Sequence, residues 1–485
     1  MDEDAGVQTG NLINGTWRSA TSAGTIDVDD PATGSVIAAV PVCSAQDVGD
    51  AIGAAADALP AWRVRTADDR GRILRKLADL VFEESESLAV LIAREGGKPV
   101  AEASGEVAYG QAFLAWSAEE ATRVYGEMVP SWQAGKRIMV LHQPVGVTVA
   151  ITPWNFPLAM ITRKLGPALA AGCTQVIKPA SQTPLTALRL GELAVEAGVP
   201  AGVVNVITGP GASVAGAVFA DPRVRKVSFT GSTEVGQQLI RLSAGNVTRL
   251  SLELGGHAPT IVFDDAELEV AVAGALRAKF RNNGQSCIAA NRIYVQRGIY
   301  EDFLAAYTSA TASLRLGDTA SDQVDVGPLI DQAAVSKVQS HVDDAVARGA
   351  KLRHGGTVRD LGPGFSQLFY EPTVLSDVTD EMQVFTEETF GPVAAIAAFD
   401  SDAEAITRAN DSPFGLAAYV FSRDLGRVFR TVEQLDYGVI GVNDGAPSTA
   451  QAPFGGMKMS GFGREGGKYA MHDYLETKYV SLALP

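Results

Sequence analysis

Val147-Thr148-Val149-Ala150-Ile151-Thr152-Pro153-Trp154-Asn155-Phe156-Pro157 is the stretch on which the fold turns. Residues 147–152 form a short, largely apolar run rich in β-branched side chains, which suits a strand covered on both faces. Pro153 and Pro157 then hold the chain extended and stiff, so the strand ends in a rigid loop that presents Trp154 and Asn155.

Comparable β-type runs follow at 175–178, 203–208, 226–230 and 249–254, separated by helical patterns. Parallel neighbours need crossover connections, so this alternation predicts a parallel sheet with helices on both faces. Ligands of such sheets bind beyond the carboxyl ends of the strands. Toward the rear, runs at 260–263, 292–295, 394–399 and 416–421 alternate with helices over 268–281 and 300–314, which predicts a second α/β domain. The front third reads as largely helical: Ser44 and Asp47 open a helix that runs to Trp62, with further helices over 67–84 and 87–94. A hairpin at 126–143 and a terminal strand at 474–484 stand apart from both domains, as edges that pair with another subunit often do.

The chain of 485 residues, 46% of them hydrophobic, is long enough for two or three domains. A formal net charge of -16 argues against nucleic acid as a partner, because phosphates require a basic surface. No apolar stretch approaches the ~20 residues of a membrane span, and the acidic start Met1, Asp2, Glu3, Asp4 lacks the basic character of an export or transit signal. Cys43, Cys173 and Cys287 are too widely spaced for a disulfide framework or a zinc site, so no metal is expected and the cytoplasm is the expected location.

Chemistry gathers at the predicted strand ends. Cys287 closes the polar bend Arg281-Asn282-Asn283-Gly284-Gln285-Ser286-Cys287, between a helix and a strand, where a thiol can sit in a cleft and react as thiolate. Glu253 precedes Leu254, Gly255 and Gly256, and a carboxylate there can activate water if it lies near Cys287. The amide of Asn155, held by its prolines, suits a developing oxyanion. Phe229-Thr230-Gly231-Ser232-Thr233-Glu234-Val235-Gly236 combines a strand, a glycine turn and a helix start, where free N–H groups can meet phosphate or simply be capped. Lys178-Pro179-Ala180-Ser181 places a cation and a hydroxyl at another strand end. The usual Gly-x-Gly-x-x-Gly fingerprint is absent: Gly209 and Gly211 begin it, but Gly216 comes too late.

In order and spacing, the segments 153–157, 178–181, 229–232, 253–256, 284–287, 388–392 and 453–456 resemble the aldehyde dehydrogenase superfamily over essentially the whole chain. The resemblance implies an α/β fold with a Rossmann-like cofactor domain (1–125 and 144–254), an α/β catalytic domain (255–445) and a small oligomerisation β-extension (126–143 and 470–485), assembled as a homodimer or homotetramer. It implies Cys287 as nucleophile, Glu253 as general base, and Asn155 with the Cys287 backbone N–H as oxyanion donors. The implied cofactor contacts are Thr152, Pro153, Trp154, Asn155, Lys178, Pro179, Ala180, Ser181, Gly211, Phe229, Gly231, Ser232, Val235, Leu254, Glu388 and Phe390. NAD-preferring relatives often carry glutamate where this chain has Ser181; a small hydroxyl beside Lys178 leaves room for a 2′-phosphate, so NADP is expected as the preferred cofactor, with NAD also used.

Within the superfamily, segments 151–186, 280–296 and 461–469 look most like succinate-semialdehyde dehydrogenases. Arg163, Arg281 and Ser448 match positions that bind the substrate carboxylate in that group, and guanidinium groups suit a carboxylate partner. The loop 446–451 differs from the group's common form, which leaves glutarate semialdehyde or another aldehyde as the alternative substrate. Ala289 stands where many relatives have a second cysteine, excluding a disulfide switch with Cys287, and His257 replaces the usual asparagine without an assigned role. A thiol hydrolase would need an imidazole partner that His142, His257, His341, His354 and His472 do not supply by any family pattern, and a non-enzymatic protein on this fold would be expected to lose Cys287, Glu253 or Asn155.

Overall fold

In the computed structural model, which describes residues 7–22, 24–320 and 323–484, the strand Val147–Ile151 is buried along its whole length. It pairs in parallel with Thr174–Lys178 on one side and Val224–Thr230 on the other. Val204–Val206 extends the sheet beyond Thr174–Lys178, and Arg249–Glu253 extends it beyond Val224–Thr230, again in parallel. Counted along the chain, these five strands stand in the order third, second, first, fourth, fifth. The order reverses between Val147–Ile151 and Val224–Thr230, and ligand crevices of open α/β sheets form at that switch point. The loops leaving those two strands carry Trp154-Asn155 and Gly231-Ser232.

Short antiparallel strands close both edges of this sheet: Asn11–Ile13 with Thr16–Arg18 on one side, and Gly461–Phe462 against Arg249–Glu253 on the other. The sequence reading of a helical front third therefore needs correction over the first forty-odd residues, where Thr25–Asp29 and Val36–Pro41 add a further antiparallel pair. Strands of 3 residues show too little alternation to stand out from loops. From Ser44 onward the helices do form. Ser44 and Asp47 make a reciprocal capping box at the start of Ala45–Arg63.

The second sheet has seven strands in the order Lys351–His354, Thr373–Ser376, Val393–Phe399, Ala290–Gln296, Ala258–Val262, Ala417–Phe421, Val439–Val442. All its pairings are parallel except the first. A separate antiparallel sheet joins Glu127–Val129, Lys136–Pro144 and Leu475–Ala483, so the hairpin and the terminal strand pair with each other. The acidic start Met1 to Asp4 lies outside the described residues. No described helix is long and apolar enough to cross a membrane.

Every residue of the helix Ala159–Ala171 is buried, including Arg163 and Lys164. Buried cations need nearby anions. Glu465, from the segment after Gly461–Phe462, supplies one, and that requirement brings the C-terminal segment to the sheet.

Candidate active site

The helix Leu268–Phe280 stops because Arg281 leaves helical geometry (φ -52, ψ 131) and the next three residues turn left-handed: Asn282 at φ 51, Asn283 at φ 58 and Gly284 at φ 73. Asparagine and glycine tolerate this region better than other residues. Side chains fix the turn from several directions. Asn282 N donates to Glu102 Oε2 at 2.7 Å, and Asn282 Nδ2 donates to the carbonyls of Asn155 and Gln285, each at 3.0 Å. Asn283 Nδ2 donates to Pro328 O at 2.7 Å, while Gln285 Oε1 accepts from Ile330 N at 3.0 Å. Cys287, half-buried, emerges from this pinned loop into a cavity of about 360 Å³.

Asn155 lies across from it, 4% exposed, and its Nδ2 donates to Gln285 O at 3.0 Å. A side-chain amide has two N–H groups, so one anchors Asn155 to the cysteine loop and the other is free to serve a ligand. Lys98 Nζ reaches the Asn155 carbonyl at 2.7 Å and also pairs with Glu106, whose other oxygen accepts from Leu158 N at 2.9 Å and Ala159 N at 3.2 Å. Backbone and side chain of Asn155 are thus both fixed.

Glu253 ends its strand in full burial, and neither carboxylate oxygen has a hydrogen-bond partner among the described residues. Nearby Glu465 is anchored at 2.6 Å to Lys164 Nζ and at 2.8 Å to Arg163 Nε. Burial opposes ionisation of Glu465, but Lys164 and Arg163 still hold its carboxyl below the usual range. Burial, and then the Glu465 charge, push Glu253 well above the ordinary carboxylate value. Burial also raises the Cys287 thiol to about 12; Arg163 draws it down, while Glu388, Glu253 and Glu465 add to the rise. Burial therefore favours the neutral form of both the Cys287 thiol and the Glu253 carboxyl.

Most of the remaining cavity wall comes from the expected nucleotide segments, and Met160, Ala333, Ala334 and Lys337 complete it. Pro153, Trp154, Gly231, Ser232, Leu254, Glu388 and Phe390 all line it, with the Trp154 and Phe390 rings edge to face at 5.5 Å. Glu388 Oε1 accepts from Gly256 N at 3.0 Å, and burial pushes its carboxyl up to about 7. Gly256 passes so close to the cysteine that an added Cβ would lie 2.2 Å from Cys287 O. Ser232 caps the helix Thr233–Ser243, its Oγ accepting from exposed Val235 at 3.3 Å, and Phe229 packs beneath Gly231.

Thr152, Lys178, Pro179 and Ala180 are buried at neighbouring strand ends, with Thr152 N donating to Lys178 O at 3.1 Å. The Lys178 side chain makes no hydrogen bond or ion pair among the described residues, and burial lowers its pKa to about 8. Its ammonium lies where a Cβ on Gly211 would be 3.9 Å away, and Ser181 Oγ donates to Gly209 O at 3.2 Å. A buried cation without a partner, facing a glycine turn, fits an anionic or hydroxyl-bearing ligand such as the adenosine end of a dinucleotide.

The Arg281 guanidinium sits 4.8 Å from the Phe156 ring and 5.8 Å from the Tyr109 ring, and the Tyr109 hydroxyl bonds to Ser448 Oγ. Arg163 lies 4.0 Å over Phe454. Its pairing with Glu465 commits part of its charge, although Nη2 is buried without a partner. His257 is buried, with Nδ1 3.3 Å from Asn291 Nδ2, and burial holds its pKa well below the usual value, so it is a neutral packing group. Cys43 and Cys173 are free and buried.

Four residues that shape the site had no motif to announce them: Glu465, Lys164, Lys98 and Tyr109. The only advance signal was positional, since Lys164 adjoins Arg163 on a helix read as near the site, and two adjacent cations inside a core require an anion.

A switch-point crevice lined by a pinned thiol and an anchored amide, with a buried carboxyl acting on the thiol, suits covalent chemistry at a carbonyl carbon. The chain belongs to the aldehyde dehydrogenase family, whose pattern it matches over residues 17–480. It is 53% identical over 473 residues to the NADP(+) succinate-semialdehyde dehydrogenase of Escherichia coli strain K12, covering 98% of this chain and 97% of that protein. It is equally 53% identical, over 470 residues, to a glutarate-semialdehyde dehydrogenase of Pseudomonas aeruginosa, with 97% and 96% covered. The crystal structure of succinate-semialdehyde dehydrogenase from Burkholderia pseudomallei superposes with a TM-score of 0.97 at 48% identity, covering 100% of both chains.

Proposed function

We propose that the protein oxidises succinate semialdehyde to succinate with NADP, and accepts NAD less well. The observation that carries this reading is that Cys287 and Asn155 line one crevice with the expected cofactor segments, that the buried Glu253 lies close enough to act on the Cys287 thiol, and that Arg281 and Ser448 both meet Tyr109.

Glu253, strongly basic in its burial, takes the Cys287 proton, and the sulfur adds to the aldehyde carbon. The free Nδ2–H of Asn155 and the Cys287 backbone N–H hold the oxyanion that forms. Trp154, Phe390 and Glu388 would hold a nicotinamide ring, which when bound would supply the hydride acceptor. Loss of hydride leaves a thioester on Cys287. Glu253, once it has passed that first proton to solvent, takes a proton from water, the resulting hydroxide attacks the thioester, and the C–S bond breaks to release the acid and a Cys287 thiolate that recovers the proton from Glu253. At the adenosine end, Thr152, Lys178, Pro179, Ala180, Ser181, Gly211, Phe229, Gly231, Ser232, Val235 and Leu254 would form the remaining contacts. Lys178 and the small Ser181 favour the 2′-phosphate. The substrate carboxylate would be held by Arg281, Ser448 and the free edge of Arg163.

In this reading residues 1–125 and 144–254 serve the cofactor, 255–445 the substrate, and 126–143 with 470–485 a homodimer or homotetramer in the cytoplasm. Glutarate semialdehyde is the second candidate, because the relative acting on it is as similar as the succinate-semialdehyde enzyme. One methylene alters binding by only ~1 to 3 kcal/mol. Comparing kcat/KM for succinate semialdehyde, glutarate semialdehyde and butyraldehyde with each cofactor tests the reading. The highest value is expected for succinate semialdehyde with NADP; a preference for butyraldehyde would overturn the substrate, and equal use of NAD the cofactor.

A further inference from the structure

Tyr109 stands on the helix Val100–Glu120, far in sequence from every motif of the site, yet it touches both Ser448 and Arg281 of the proposed carboxylate pocket. Its hydroxyl bonds to Ser448 Oγ, and its ring face lies 5.8 Å from the Arg281 guanidinium. Phe113, one helical turn on, packs edge to face against the same ring at 4.9 Å and also lies 5.3 Å from Arg163.

Arg281 and Ser448 come from a left-handed turn and from a loop, neither of which sets a side-chain direction by itself. The Arg281 side chain forms no ion pair or hydrogen bond among the described residues; it lies against the Tyr109 and Phe156 faces, with the buried Glu102 carboxyl also acting on it. Ser448 is likewise held by the phenol. Between two hydroxyls, one proton serves the mutual bond and the other is left to donate. The pair thus presents one aimed donor beside one guanidinium, which matches a carboxylate and offers nothing extra to an uncharged chain end.

We infer that Tyr109 is a specificity-determining positioning residue: through Ser448 and Arg281 it selects aldehydes that bear a terminal carboxylate. The inference rests on the proposed semialdehyde specificity and adds a residue to it.

The test is the ratio of kcat/KM for succinate semialdehyde to that for butyraldehyde in the full-length enzyme. Tyr109→Phe keeps the ring under Arg281 and frees Ser448, so the ratio should fall about tenfold, mainly through KM for the charged substrate. Because both hydroxyls act as one unit, Tyr109→Phe combined with Ser448→Ala should lower the ratio no further than either change alone. Tyr109→Leu, which also removes the ring, should lower it more. Additive losses, or equal losses for both substrates, would overturn the role of Tyr109. Arg281→Ala is the reference arm. If it lowers the ratio while Tyr109→Phe does not, Tyr109 is excluded and the semialdehyde reading stands; if Arg281→Ala leaves the ratio unchanged, both fail.

Discussion

Gly256 and Cys287 are packed backbone to backbone, so that a single methyl group on Gly256 would lie 2.2 Å from the Cys287 carbonyl oxygen. The same glycine donates its N–H to Glu388 at 3.0 Å. One residue therefore sets both the depth of the nucleophile and the carboxylate next to it. Gly256→Ala must push the cysteine loop away, and a displacement near 1 Å costs about a hundredfold in rate. The expected outcome is a folded enzyme with kcat reduced at least that far; near-normal turnover would mean that the loop yields freely.

Substitution of Glu253 should show which of its two proton transfers limits the rate. With Glu253→Gln, steady-state turnover is expected to fall about 10²- to 10⁴-fold. A covalently modified Cys287 seen by intact-protein mass spectrometry after brief exposure to aldehyde and NADP would place the block at hydrolysis. Steady turnover within a few-fold of the parent would remove Glu253 from the mechanism.

The acidic limb of the rate profile should report the Glu253–Glu465 relationship. Glu253 acts as a base only when ionised, and burial followed by the Glu465 charge raises its pKa, so kcat should climb as pH increases toward that raised value. Glu465→Gln removes the repelling charge and leaves Lys164 and Arg163 unneutralised, both of which favour ionised Glu253. The limb should therefore move to lower pH in a pH–kcat series. A shift the other way would show that the two carboxylates do not interact as drawn.

Ser181→Glu should reverse cofactor choice. At ~4 Å two like charges cost roughly 1 to 4 kcal/mol in the dielectric range of a protein surface, or about 5- to 1,000-fold in affinity for a 2′-phosphate. Dissociation constants from quenching of protein fluorescence, measured for NADP and NAD, would show the first rising and the second holding or falling. An unchanged ratio would locate selectivity elsewhere.

Glu95 lies outside the site, but its burial has a measurable effect. It accepts from Leu185 N at 2.8 Å and Thr186 N at 3.0 Å, and burial raises its carboxyl from 4.5 to about 7. A folded-state pKa above the unfolded one means that the folded protein binds the extra proton, so this stabilisation is complete below 4.5 and disappears as pH rises through about 7. Glu95→Gln should flatten that part of the Tm-against-pH curve. Parallel curves for the two proteins would contradict the assignment.

Much of this molecule was legible in its sequence because the chemistry lies where strands end. Thr152 to Asn155, Lys178 to Ser181, Gly231-Ser232 and Glu253 each follow an apolar run, and proline or glycine marks the stop. Regular periodicity likewise made the capped helix from Ala45 readable. What stayed hidden had no local pattern. Asn11–Ile13 and Thr16–Arg18 are strands only because a sheet edge was available to them. Glu465 looks like any loop carboxylate until Arg163 and Lys164 are seen to be buried against it, and Tyr109 reads as one more aromatic on an alanine-rich helix.

The C-terminal segment has a mechanical implication. Gly461–Phe462 hydrogen-bonds to the strand that ends in Glu253, Glu465 follows within the same stretch, and the chain then runs into Leu475–Ala483, which zips along the full length of Lys136–Pro144. The tail is thus a tether whose far end lies on an outlying ribbon and whose near end is fastened beside Glu253 by strand pairing and by the ion pairs of Glu465 with Arg163 and Lys164. Trimming that ribbon, or swapping what docks on it, should be felt as altered turnover before it is felt as altered shape.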